Sequence, residues 1–181
     1  SSAASDVYKR QSQYSGPGSQ SVLDKWTIDW EYYLVSKGFI VACVDGRGTG
    51  GRSRAYETSV YMQLGKLETE DQVAGAEYMR TLPYVDDKHI GIYGWSYGGY
   101  ETLMAMSTSN GTYQAGVAIA PVTDWRYYDT IYAERFMRTP NENNEGYEQS
   151  APITHAEKLK GDLLIISGTA DDNVHYLNTL Q

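Results

Sequence analysis

The chain has 181 residues, of which 41% are hydrophobic, and this is enough for one globular domain with its own core. Its formal net charge is −8, so no nucleic-acid partner is predicted, because such partners need a basic surface to neutralise their phosphates. No apolar run approaches the roughly 18 residues of a membrane-spanning helix.

The first part of the sequence predicts a tail, a turn, a helix and a strand. Residues 1–13 are small and polar without periodicity, which predicts a disordered or foreign N-terminal tail. Residues 14–20 are rich in glycine and proline and predict a turn. The spacing of large side chains predicts a helix over 24–37. The apolar run 39–45 then predicts a strand of a parallel sheet, in which the lone thiol of Cys43 is buried.

The glycine-rich loop 46–52 admits two interpretations. Glycines after a strand can cradle a phosphate group. The spacing, however, is not that of a dinucleotide-binding loop, and no lysine of a phosphate-binding loop follows. The sequence therefore disfavours a nucleotide site here.

The rest of the sequence alternates predicted helices and strands. Helices are predicted over about 67–81, 97–108 and 124–137, and strands over 89–96, 115–121 and 162–172. No internal repeat is visible. The alternation predicts an α/β fold with a mainly parallel sheet.

A serine between glycines lies where one of these strands meets a helix. Gly94, Ser96 and Gly98 match the G-x-S-x-G pattern of a nucleophile elbow, a strained turn that exposes the serine hydroxyl above a helix N-terminus. The backbone N–H of Tyr97 is then placed to stabilise an oxyanion. The alternative is a glycine-rich turn with an incidental serine, but the order of strand, turn and helix favours a nucleophile.

A serine nucleophile needs a base and an acid that orients the base, and the acid is expected after a later strand. Asp171 and Asp172 lie at the end of the last predicted strand. The two aspartates could instead cap a helix that begins near Val174. Together with the elbow, their position favours a catalytic acid.

None of the three histidines fits the expected base. His89 begins the strand that leads to the elbow, so it lies at the far end of that strand. His155 precedes the acid, against the usual order, and His175 lies on the same short segment as the acid. We therefore expect the base beyond the end of this sequence.

Four blocks of the sequence carry a family resemblance. They are DGRGTG (45–50), GWSYGGY (94–100), APVTDWRYYDTIYAERFM (120–137) and GTADDNVHY (168–176). Together they resemble the catalytic domain of the prolyl oligopeptidase family of serine peptidases, in particular its dipeptidyl peptidase branch. The resemblance implies an α/β-hydrolase fold, with helices on both faces of the sheet and residues 14–181 as one part of the domain. The domain's last strand and helix, with the triad histidine, and an N-terminal β-propeller are expected outside this sequence.

The resemblance also implies catalytic roles for four residues. Ser96 would be the nucleophile and Asp171 the triad acid. The amide of Tyr97 and the hydroxyl of Tyr14 would form the oxyanion hole. The block DGRGTG would be a structural loop at the edge of the sheet.

A pocket for proline is the next implication of the resemblance. It would be formed by Trp125, Tyr128, Tyr132, Val122 and Val174, with Asn173 and Arg135 as polar residues lining the substrate site. Aromatic rings suit proline, because its ring is flat and apolar and carries no N–H once bonded. The spacing of the three aromatic residues is equally that of one buried helix face. The resemblance, and not the spacing, favours the pocket.

The implied activity is that of a serine peptidase that removes N-terminal dipeptides from peptides with proline or alanine at the penultimate position, through an acyl-enzyme on Ser96. Alternatives are a tripeptidyl aminopeptidase, an acylaminoacyl peptidase, a related carboxylesterase and a non-catalytic interaction domain. Residues 1–181 alone are expected to be inactive, because the base is expected elsewhere. No metal or organic cofactor is predicted. The family implies dimerisation and a periplasmic, cell-envelope or cell-surface location, so the compartment stays open.

Overall fold

A computed structural model of the chain describes residues 9–26 and 29–181. Its strands are β1 (Lys9–Ser12), β2 (Ile40–Cys43), β3 (Ile90–Trp95), β4 (Ala115–Ile119) and β5 (Asp162–Ile166). They form one sheet in the order β2-β1-β3-β4-β5, and every neighbouring pair is parallel. The predicted parallel sheet is confirmed.

Helices and 3₁₀ segments connect the strands. The α-helices are α1 (Glu31–Ser36), α2 (Arg54–Thr58), α3 (Lys66–Arg80), α4 (Tyr97–Thr108), α5 (Thr130–Met137), α6 (Asn144–Gln149) and α7 (Leu177–Leu180). The 3₁₀ segments are Trp125–Tyr127 and Pro152–Lys158. Among the residues described, no helix has the length and apolar character that crossing a membrane would require.

The predicted helix over 24–37 is wrong in its extent, because only α1 is helical among the described residues of that range. Trp26, one of the large side chains that suggested the helix, is 81% exposed. A helical spacing of apolar residues produces a helix in a protein when the apolar face is buried, and here this part of the face is not.

The N-terminal stretch also differs from the expected tail. Strand β1 pairs with both β2 and β3, and Gln13 directly after it is buried. The prediction of a disordered or foreign tail therefore fails over 9–13, while residues 1–8 lie outside the described residues. Hydrogen bonds to two neighbouring strands stabilise β1 without the apolar alternation that a sequence pattern detects.

Side chains of β3 alternate between the two faces of the sheet. Ile92 packs in a buried cluster with Ala76 of α3 and Met106 of α4. Tyr93 points to the opposite face, where its ring lies edge-on to Trp30 beside α1, with the ring centres 4.8 Å apart. Helices therefore lie on both faces, as the predicted α/β-hydrolase fold requires.

At the edge of the sheet, two expectations can be compared with the structure. Cys43 is exposed, so the predicted buried thiol is wrong, because β2 is an edge strand with a neighbour on one side only. In the glycine-rich loop that follows, the Arg47 guanidinium donates to Asp71 at 2.7 Å and to Glu70 at 3.0 Å. The Arg47 guanidinium is therefore already paired with carboxylates and is not available to bind a phosphate group.

Candidate active site

Ser96 lies directly after β3 and directly before α4, in a backbone conformation that few residues adopt. Its φ is 56° and its ψ is −116°. A positive φ in a residue with a side chain is strained and persists only where the surroundings fix it. The Ser96 N–H donates to the Ile119 carbonyl at 2.8 Å, and the Ser96 carbonyl accepts from the Tyr100 N–H at 3.0 Å. The side chain is half-buried, so its hydroxyl lies at the surface of the elbow.

The glycines of the elbow are required by close approaches of backbone to backbone. A Cβ on Gly94 would lie 2.5 Å from the Gly98 carbonyl oxygen and 2.7 Å from the Gln13 carbonyl oxygen. A Cβ on Gly98 would overlap the same Gln13 oxygen. A Cβ on Gly99 would lie 2.6 Å from the Ile119 carbonyl oxygen. The glycine spacing that predicted the elbow thus has a direct steric cause.

Tyr14 follows Gln13 on the loop whose close approach to the elbow requires Gly94 and Gly98. Its ring centre is 6.1 Å from that of Tyr97, the residue after the serine, and the side chain is 40% exposed. Within the described part of the chain, the Tyr14 hydroxyl has no hydrogen-bond partner. The structure therefore brings the exposed phenol to the elbow, where its hydroxyl could donate a hydrogen bond to a substrate oxygen.

A buried polar network holds the Tyr14 loop against α4, and the sequence analysis missed it. The Gln13 amide donates to the Gly98 carbonyl at 2.8 Å, and Ser15 Oγ donates to Gln13 Oε1 at 3.0 Å. The Gln72 amide of α3 donates to Ser15 Oγ at 2.9 Å. Only the turn-rich composition around these residues signalled a special loop, and Gln13 fell in the expected tail.

The three aromatic residues of the predicted proline pocket form one cluster. The rings of Trp125 and Tyr132 stack with centres 5.7 Å apart, and Tyr128 lies edge-on to both, at 5.8 Å and 5.3 Å. Trp125 also packs against Tyr97, with ring centres 5.4 Å apart. The cluster is therefore continuous with the elbow.

The predicted continuous helix over 124–137 is wrong, and this matters for the pocket. Trp125 lies in a 3₁₀ segment, and α5 begins only after Asp129, whose carboxylate accepts the Tyr132 N–H at 2.7 Å. The chain thus turns between the first and the last aromatic residue. The spacing of these aromatic residues is therefore not that of one face of an amphipathic helix.

The other residues named for the pocket divide into buried and exposed ones. Val122 and Val174 are buried in the same cluster as Trp125. Asn173 is exposed and accepts a hydrogen bond from the Tyr128 hydroxyl at 2.8 Å. Arg135 is exposed on α5, and no ion pair involves it in the described ranges.

Asp171 follows β5 on the same edge of the sheet as Ser96, because the carboxyl ends of parallel strands share one edge. Its Oδ1 accepts the N–H groups of Asn173 and Val174, both at 3.0 Å. Its Oδ2 has no partner among the described residues, so it is available to orient a base. The neighbouring Asp172 is exposed and makes no hydrogen bond within those residues.

The structure brings no histidine to Ser96, whose hydroxyl makes no side-chain hydrogen bond in the described part of the chain. His89 lies at the opposite end of β3, about 20 Å away by the rise of a strand. Nε2 of His155 contacts the Gln149 carbonyl, and Nδ1 of His175 accepts the Leu177 N–H. In residues 9–26 and 29–181, no group of three or more metal-ligating side chains occurs.

Two buried glutamates beside the elbow were also missed by the sequence analysis. Glu68 of α3 accepts the Tyr97 hydroxyl at 2.8 Å, and Glu101 of α4 accepts the Thr69 hydroxyl at 2.7 Å. Burial raises the pKa of Glu68 to about 7 and the pKa of Glu101 well above its ordinary value. No sequence signal distinguishes these glutamates from the many exposed ones.

Comparison with sequence families gives one assignment for most of the chain. The profile described as "Prolyl oligopeptidase family" matches residues 26–181. Among curated proteins, the chain is 47% identical over 173 residues to "Probable dipeptidyl-aminopeptidase B" of Metarhizium robertsii and 50% identical over 171 residues to the protein of the same name in Talaromyces marneffei. These alignments cover 93% and 92% of this chain but 19% of each relative.

Solved structures agree with the fold described above. Dipeptidyl peptidase 4 of Porphyromonas gingivalis matches 98% of this chain with a TM-score of 0.95 and 56% identity, over 25% of its own length. A putative dipeptidyl aminopeptidase IV of Bacteroides ovatus matches 98% with a TM-score of 0.93 and 39% identity, over 26% of its own length. The chain therefore spans about a quarter or less of the length of each of these four relatives.

Proposed function

The chain belongs to the prolyl oligopeptidase family, and we propose that it carries the nucleophile and the acid of a serine dipeptidyl peptidase. The observation that supports this most directly is the strained, half-exposed Ser96 at the tip of β3, held by backbone hydrogen bonds on both sides. A serine with a purely structural role would not require a strained backbone with a positive φ. Nor would it require flanking glycines at positions where a Cβ would collide with other backbone atoms. The names of the relatives support the release of dipeptides.

In the proposed mechanism, Ser96 Oγ attacks the carbonyl carbon of the penultimate substrate residue. Its proton passes to a base, which the family resemblance implies to be a histidine and which Asp171 Oδ2 orients. The Tyr97 N–H and the Tyr14 hydroxyl donate to the oxyanion. The base then returns the proton to the leaving amine, and an acyl-enzyme remains on Ser96. Water, deprotonated by the same base, hydrolyses the ester and releases the dipeptide.

The aromatic cluster supports a preference for proline or alanine at the penultimate position. The half-buried rings of Tyr128 and Tyr132 offer an apolar surface. The buried Trp125 lies behind them and packs against Tyr97. A prolyl ring buries its apolar surface there without leaving an N–H unsatisfied, and alanine is small enough to enter the same space.

Chromogenic substrates test this proposal on the complete protein that contains this chain. We expect cleavage of Gly-Pro-p-nitroanilide, and loss of at least about 10⁴-fold in kcat for Ser96→Ala. N-acetyl-Gly-Pro-p-nitroanilide and Ala-Ala-Pro-p-nitroanilide should be poor substrates. Preference for the acetylated substrate would indicate an acylaminoacyl peptidase, and preference for the tripeptide substrate a tripeptidyl aminopeptidase. Unchanged cleavage by Ser96→Ala would exclude the proposed nucleophile.

Residues 1–181 expressed alone provide a second test. Because no histidine lies at Ser96 in the described residues, we propose that this piece has negligible turnover. Robust cleavage of Gly-Pro-p-nitroanilide by this piece would show that the base lies within these 181 residues.

A further inference from the structure

A buried carboxyl group holds the phenol of the residue that follows the candidate nucleophile. The Tyr97 hydroxyl donates to Glu68 Oε1 at 2.8 Å. Tyr97 is 2% exposed and Glu68 is 0% exposed, so neither group exchanges this contact for water. The hydroxyl is thus bound to α3, while the ring packs against Trp125 of the aromatic cluster.

Tyr97 is the residue through which the elbow and the pocket meet. Its backbone N–H is the first of α4, beside Ser96. Its ring packs against Tyr14, Tyr100 and Trp125, with centres 6.1, 5.1 and 5.4 Å away. A displacement of this one ring would therefore move a donor of the oxyanion hole and a wall of the pocket together.

The surroundings of Glu68 give it little electrostatic support. The titratable groups that face it are Asp71 on its own helix, Tyr97, Tyr100 and Glu101 on α4, and Tyr132 on α5. None of these is a cation, and Glu68 Oε2 has no hydrogen-bond partner in the described residues. Burial therefore raises the pKa of Glu68 to about 7. A carboxyl in such a place costs stability, so stability alone does not explain it.

Capping of α3 is the competing explanation. Glu68 is the third residue of that helix, and its carboxyl lies near the N–H of Gly65, the N-cap residue. Capping would stabilise α3 whether or not the carboxyl contacts Tyr97. A test must therefore change the Tyr97 contact while leaving the cap in place.

We propose that Glu68 is a positioning residue for the peptidase reaction, acting through the Tyr97 hydroxyl to fix the oxyanion N–H and the pocket wall. This inference rests on the proposed function. Misplacement of a reacting group by about 1 Å can cost about 10²-fold in rate, so the expected effect is measurable.

Three single variants, a matched control and a double variant of the complete protein test the proposal with Gly-Pro-p-nitroanilide. Glu68→Leu and Tyr97→Phe each break the contact, and Tyr97→Phe leaves both the ring and the cap of α3. We expect both to lower kcat/KM by about 10- to 100-fold. Glu68→Gln retains an acceptor oxygen for the hydroxyl and should remain within about threefold of the parent protein.

Glu101→Leu is the matched control. Glu101 is equally buried at 0% exposure, but its partner is the Thr69 hydroxyl and not Tyr97. We expect Glu101→Leu to change the melting temperature as much as Glu68→Leu does and to leave kcat/KM within about threefold. An equal loss of activity in both leucine variants would overturn the proposal, because the loss would then follow from removing any buried carboxyl and not from breaking the contact with Tyr97.

The double variant Glu68→Leu, Tyr97→Phe completes the test. If the two groups act as one unit, the double variant loses no more activity than the worse single variant. Independent, multiplying losses would overturn the proposal. Should Glu68→Leu fail to fold, Tyr97→Phe decides alone, and activity within threefold of the parent would reject the inference. Failure of the parent protein to cleave any substrate would instead reject the proposed function, and this inference with it.

Discussion

The elbow around Ser96 and the segment around Asp171 lie at the same edge of the sheet but are built differently. Every residue of α4 from Tyr97 to Ser107 is buried, and glycine backbones there approach other backbones closely. After β5 the chain is largely exposed, and a Cβ on Gly168 would meet no atom closer than 3.8 Å. The proposed nucleophile is therefore fixed by packing across the molecule, whereas the proposed acid is fixed by hydrogen bonds within its own turn.

The largest effect is expected at Asp171, the proposed acid. Asp171→Asn keeps an oxygen that accepts the N–H groups of Asn173 and Val174, so the turn and the melting temperature should be unchanged. The carboxylate that orients the base is lost, and kcat should fall by about 10⁴-fold. Asp172→Asn, at an exposed neighbour, is the control and should stay within about twofold. Equal activity of the two variants would contradict the assignment of Asp171.

A smaller loss is expected at Tyr14, the second proposed oxyanion donor. Tyr14→Phe removes a hydroxyl that has no partner in the described residues, so folding should be unaffected. Steady-state kinetics should show kcat reduced by about 10²-fold with KM nearly constant, since the donor acts on the transition state. Tyr127→Phe, at a similarly exposed phenol, should be neutral. A change in KM alone would assign Tyr14 to substrate binding.

The steric difference between the two regions can be measured with alanine. Gly98→Ala places a Cβ against the Gln13 carbonyl, and urea denaturation should show unfolding free energy reduced by about 2–3 kcal/mol. Gly168→Ala is the matched change in the acid segment, and should stay within about 0.5 kcal/mol of the parent. Similar losses at both positions would mean that packing does not distinguish the two regions.

The last prediction concerns the pH dependence of stability. The pKa of Glu68 is raised from its ordinary value to about 7 in the folded state, so the folded protein binds this proton more tightly than the unfolded chain does. The free energy of unfolding should therefore fall as pH rises from about 4.5 to about 7. Glu68→Gln removes this ionisation and should make the same curve flatter. Parallel curves for the parent and the variant would contradict the burial of an ionisable carboxyl.

Local sequence signals predicted the parts of the site that are close together along the chain. Gly94, Ser96 and Gly98 identified the elbow, and α4 begins and ends at the predicted residues 97 and 108. The position of Asp171 after a late strand was also predicted, and its role as the acid stays a prediction. These features depend on turn chemistry and on short-range periodicity, which are visible in a few consecutive residues.

The parts that were missed depend on contacts between distant residues. Strand β1 was assigned to a tail, because its pairing partners lie more than 25 residues away along the chain. Gln13 reaches Gly98, and Glu68 reaches Tyr97, through hydrogen bonds that no periodic pattern encodes. The break before α5 arises from the cap at Asp129, which competes with a longer helix.

Labelling with a fluorophosphonate tests the central claim most directly, because it needs neither a substrate nor an assumption about specificity. The complete protein should take up one phosphonyl group, and peptide mapping by mass spectrometry should place that group on Ser96. Tyr14→Phe and Asp171→Asn should slow the labelling, and Asp172→Asn should not. A folded protein that takes up no label, or carries it on another serine, would contradict the account.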